Sequence, residues 1–73
     1  MPQKLPLQSR EIIQRLQRLG FIFKRQRGSH VILKHPATGR RVTVPEHNAD
    51  LPKGTVKSML RQADITVDEF LRD

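Results

Sequence analysis

The nine residues RQRGSHVIL, Arg25 to Leu33, set two arginines, a glycine, a serine and a histidine just before an apolar run. An imidazole titrates near pH ~6.5, so His30 is suited to give or take a proton at neutral pH. Arg25 and Arg27 carry fixed positive charge that can steady a phosphate. Gly28 lets another backbone approach closely, and Ser29 adds a hydroxyl and an N–H. These residue types in this order suit proton transfer beside a phosphodiester. They also suit an anion-binding turn or an ordinary solvated hairpin. Two other histidines need placing. His35 has the opposite parity from His30 on the same run and reads as structural or merely exposed. His47, in the stretch VPEH, reads as a second proton donor, a phosphate ligand or a loop residue. The spacing 30, 35, 47 matches no HxxxH or HExxH pattern and the chain has no cysteine, so neither a metal site nor a cofactor is expected.

The elements that must position these groups follow from periodicity. Ile12, Ile13, Leu16 and Leu19 form one helical stripe, with Ser9 as the expected N-cap and Gly20 placed for a left-handed end. Residues 21–26 read as a first strand, with Phe21 and Phe23 on one face. Gly28 makes a turn into a second strand, Ser29 to His35. The stretch PATG, residues 36–39, is a tight loop before a third strand, Arg40 to Val44, which Pro45 stops. Val56, Met59, Leu60 and Ala63 form the buried stripe of a second helix, while Lys53, Lys57 and Arg61 line another side at i, i+4 and i+8. TVDE, residues 66–69, is a capping box that starts a short last helix. The expected fold is α+β: a two-layer α-β-β-β-α arrangement, a three-stranded antiparallel sheet with helices on one face.

Register decides which side chains share the open face. Setting Val31 opposite Val44 and Leu33 opposite Val42 sends both apolar pairs into the core, whereas a one-residue slip scatters them. His30 then lies on the open face opposite Pro45, with Glu46 and His47 expected close by. Lys34, Arg41 and Thr43 share that face, interrupted by Ile22 and Ile32. On the first strand the even-numbered residues, Lys24 or Gln26, are expected beside His30.

Seventy-three residues make one domain, 1–73, whose first six residues, with two prolines, read as a loose leader. Without cysteine there is no disulfide to staple it. No apolar run approaches the ~20 residues needed to span a bilayer, and the start lacks a signal-peptide core, so a soluble cytoplasmic protein is expected. Fourteen Lys and Arg against seven Asp and Glu give a formal net charge of +7, which attracts polyanions and says nothing about catalysis. Only three aromatic residues, all phenylalanine, are present, which argues against base stacking on an aromatic platform.

The helix ending in LGF, the run RQRGSH, the later VPEH and the stretch GTVKSMLRQADIT together resemble the HicA family of toxins, over about Leu7 to Leu71. Members are small messenger-RNA interferases of toxin–antitoxin pairs. The resemblance implies a fold similar to a double-stranded-RNA-binding domain and a HicB-type antitoxin partner, with oligomers formed only through that complex. It also implies that His30, the histidine of the Gly-Ser-His element, is the catalytic residue.

RNA brings its own nucleophile, the 2′-hydroxyl, so cleavage needs proton transfer and cations but no metal. The residues expected to hold the RNA are Lys24, Arg25, Arg27, Gly28, Ser29 and His47, with Lys53 and Lys57 tracking the backbone or meeting an acidic antitoxin. Weak base preference is expected, because the open face has few groups that read base edges. The competing readings are a non-catalytic RNA- or DNA-binding module, and an interaction protein whose basic face receives an acidic partner.

Overall fold

Leu16 and Phe21 show how the first helix ends. The computed structural model describes residues 5–72 and places α1 over Ser9–Arg18. The Phe21 N–H reaches the Leu16 carbonyl at 3.0 Å and the Gly20 N–H reaches Gln17 at 3.1 Å, a Schellman end with Gly20 at φ 103°. The chain then runs through β1 (Ile22–Arg27), β2 (His30–Lys34), β3 (Arg41–Pro45), α2 (Lys53–Gln62) and α3 (Val67–Leu71). The sheet is antiparallel in the order β1-β2-β3. This is the expected α+β architecture, with α3 as its helical tail.

Alternation in β2 and β3 fixes their pairing. Val31 faces Val44, Leu33 faces Val42 and His30 faces Pro45, as the apolar pattern requires. Those four aliphatic residues are buried against Ile12 and Leu16 of α1, Val56, Met59 and Leu60 of α2, and Phe70 of α3. The terminal helix is held by the expected capping box: Thr66 Oγ1 accepts the Glu69 N–H at 3.1 Å, and the Glu69 carboxylate accepts the Thr66 N–H.

Three expectations are corrected. Ser9 is not the N-cap of α1; Gln8 holds that position without a side-chain bond. The Ser9 hydroxyl instead donates to the Pro45 carbonyl at 2.6 Å and accepts the His47 N–H at 3.2 Å. It ties the end of β3 to the start of α1. The loose leader is corrected for residues 5 and 6: Leu5 packs against the core and Pro6 is buried, while residues 1–4 lie outside the described residues. The third correction concerns β1. Arg27 pairs with His30 and Arg25 with Ile32, but Phe23 pairs with Leu33, so Lys24 is an extra residue at a bulge. The odd-numbered Arg25 and Arg27, not the even-numbered Lys24 and Gln26, therefore share the open face with His30.

Candidate active site

The turn that presents His30 is two residues long. Gly28 and Ser29 join the paired residues Arg27 and His30, and only Gly28 has positive φ, at 58°. That pattern is a type II′ turn, which suits the twist of a hairpin. Nothing lies within 4 Å of where a Cβ on Gly28 would sit, so this corner is open to a ligand. The turn is moored from the core side. Gln26 Nε2 donates to the Gly28 carbonyl and to Glu46 Oε1, both at 3.1 Å, and the Glu46 N–H donates to the Ser29 carbonyl at 2.6 Å.

His30 is exposed, on the same sheet face as Arg25, Arg27, Lys34, Arg41 and Thr43. The described ion pairs are Arg15–Glu11, Arg40–Asp64 and Arg72–Asp68, so among the described residues the cations of this face have no acidic partner. Such an arrangement can bind an anion at Arg25 and Arg27 while an imidazole exchanges protons beside it. The guanidinium of Arg27 and the imidazole of His30 belong to directly opposed positions, which in an antiparallel pair stand about 5 Å apart at Cβ.

The other two histidines lie elsewhere. His35 is structural: its Nδ1 accepts the Ala37 and Thr38 N–H groups at 3.2 and 3.3 Å. That leaves Nε2 to donate to the Leu19 carbonyl at 3.2 Å, and the ring stands edge-on to Phe21. His47 is exposed in a depression shared with Ser9, Arg10, Gln14 and Asn48, beside α1. His30 lines a different depression, while the pairing of Pro45 with His30 and the bond from the Glu46 N–H to the Ser29 carbonyl hold the segment that leads to His47 against the hairpin. Lys53 and Lys57 line a third, with Leu5, Glu11, Asp50 and Val67, on a flank of α2 other than the one facing His30. Lys24 sits at the bulge, without a partner of its own on β2.

Sequence reasoning missed the α2 flank. Thr55, Ser58 and Gln62 line the depression at His30, together with Thr43 and Pro45. The available signal was their 3- and 4-residue spacing on a polar side of α2 distinct from the lysine stripe.

The structure is a small α+β domain whose basic β1–β2 hairpin carries an exposed histidine. A family model described as the HicA toxin of bacterial toxin–antitoxin systems matches residues 9–65. The chain belongs to that HicA family, and is thus the toxin member of a toxin–antitoxin pair. Its fold is the family's double-stranded-RNA-binding-domain-like arrangement. Comparison with curated proteins returns no significant match. Among the described residues no helix is long and apolar enough to cross a membrane.

Proposed function

We propose that the chain is an endoribonuclease that cleaves messenger RNA in the cytoplasm and is held inactive by a HicB-type antitoxin. One observation carries the reading: the family's histidine, His30, stands exposed and cross-strand from Arg27 at the open mouth of the β1–β2 hairpin.

Arg25 and Arg27 hold the scissile phosphate, assisted by the backbone at Gly28 and Ser29. The ribose 2′-oxygen attacks the adjacent phosphorus while its proton passes to the neutral imidazole of His30. The P–O5′ bond breaks, leaving a 2′,3′-cyclic phosphate, and the departing 5′-oxygen takes a proton from an acid on its far side. Because the nucleophile belongs to the RNA, this route needs no metal-bound water. That acid is His47, whose neighbour Glu46 is bonded to Ser29 of the hairpin, or solvent, which reaches the open face directly. Lys24 at the bulge adds charge at the rim.

Wild type and His30→Ala are incubated with RNA in excess chelator. Wild type is expected to release fragments with cyclic phosphate ends, and the variant to be slower by about 10²–10⁴-fold, the usual worth of a positioned acid or base. Equal cleavage by both would remove His30 from the chemistry. RNA binding without cleavage by wild type would favour a non-catalytic RNA-binding module.

A further inference from the structure

The depression at His30 differs in kind from the other four described on the surface. Those four each contain Lys, Arg, Asp or Glu in their lining. The lining at His30 contains none, in a chain that is 29% charged. We propose that this depression is a nucleoside subsite: it receives the base next to the cleaved phosphodiester, and Ser58 and Gln62 read that base. The proposal deepens the ribonuclease reading and takes its substrate from it.

The chemistry of the lining is that of a base pocket. Pro45 supplies apolar surface for the face of a heterocycle, with the edge of the buried Met59 at its base. Thr43, Thr55 and Ser58 supply hydroxyls, and Gln62 supplies an amide that can both donate and accept. Such neutral, two-way hydrogen-bonding groups discriminate base edges, whereas a phosphate site would gather cations. The volume, about 390 Å³, is within the range of small-molecule sites. Ser58 and Gln62 are four residues apart on α2 and therefore neighbours on one side of it.

The layout also gives the strand a direction. Arg25 and Arg27 lie on the β1 side of His30, and the neutral depression lies on the β3 and α2 side. An RNA crossing His30 sets its phosphate on the first side and a flanking nucleoside on the second. Gly54 is on the same rim. Nothing lies within 4 Å of where its Cβ would be, so no internal packing requires it, and its effect is to widen the mouth. The sequence-based expectation of weak base preference considered the sheet face alone; α2 adds the missing readers.

Two readouts on randomised RNA oligonucleotides test the proposal. Cut sites are sequenced for wild type, Gln62→Ala, Ser58→Ala and Gln62→Glu. Sequences retained by His30→Ala and by His30→Ala with Gln62→Ala are selected in parallel. One base is expected to dominate at one position flanking the cut, and its advantage over the other bases to fall about tenfold or more in Gln62→Ala. Gln62→Glu, which exchanges a donor for an acceptor, is expected to change the favoured base. Gln62 and Ser58 are exposed, so thermal melts near wild type confirm that folding is unaffected. A preference unmoved by both alanine variants overturns the proposal, as does the absence of preference in both readouts. Weakened antitoxin binding with unchanged RNA selection also overturns it, by assigning the depression to the protein interface. If wild type cuts nothing, yet the retained pool shows a bias that Gln62→Ala removes, the subsite stands and the ribonuclease reading falls.

Discussion

Ser9 joins the site to the core through one hydroxyl. It is buried, and its Oγ serves the Pro45 carbonyl and the His47 N–H at once. Pro45 is the residue opposite His30, so this link fixes the strand end that borders the proposed subsite. Ser9→Ala leaves two backbone groups short of a partner and is expected to cost about 1–3 kcal/mol. The check is a lower denaturant midpoint with an unchanged slope. Ser9→Asp separates this role from capping. An aspartate at a helix start is ordinarily favourable. Here it cannot donate to the Pro45 carbonyl and would place a carboxylate against it, so it is expected to destabilise at least as much as alanine. A gain in stability would show that Ser9 acts as a cap. The sequence could not reveal this, because a serine before a helical stripe reads as a cap unless a distant carbonyl is known to need it.

At the scale of elements, legibility followed burial. β2 and β3 were readable because Val31, Leu33, Val42 and Val44 have one buried face to satisfy, which leaves a single acceptable register. β1 is exposed at every position, so no apolar alternation pinned it and the bulge at Lys24 left no trace in the sequence. That bulge reverses parity and brings Arg25 and Arg27, rather than Lys24 and Gln26, to the side of His30. The helix end at Gly20 was readable, yet its second duty was not: a Cβ there would lie 2.6 Å from His35 Nε2. Gly20→Ala must therefore bear a left-handed φ, costing about 1–2 kcal/mol, and displace the ring from the Leu19 carbonyl. A total of about 2–3 kcal/mol is expected, against about 1 kcal/mol for Gly39→Ala, where the φ is also positive but the space is open. Combining Gly20→Ala with His35→Ala should cost less than the sum of the two changes, as read from a double-mutant cycle. Strict additivity would mean that the ring does not confine the glycine.

Over the whole molecule, the net charge of +7 is unevenly spent. The ion pairs of the described residues engage Arg15, Arg40 and Arg72, leaving Arg25, Arg27, Lys34 and Arg41 to project an uncompensated field from the open face. Lys53 and Lys57 belong to another flank, near Glu11 and Asp50, which dilute their field. A basic stripe was legible as a helical period in the sequence, but its facing was not, since period alone does not say which neighbour an exposed side of a helix overlooks. The difference is measurable as salt dependence. Binding of a short single-stranded RNA to His30→Ala should weaken linearly in log affinity against log salt, with about 0.7 of slope for each phosphate neutralised. Arg27→Ala is expected to lower the slope by about that much, and Arg25→Ala likewise. Lys53→Ala with Lys57→Ala is expected to leave the slope nearly unchanged, because a strand confined to the face of His30 does not reach that flank. If the lysine pair instead lowers the slope as strongly as the arginines, the RNA wraps around α2 and the single-face path is wrong. That outcome would also place both sides of α2 against RNA, and the toxin would then grip its substrate as a clamp around one helix rather than on one sheet face.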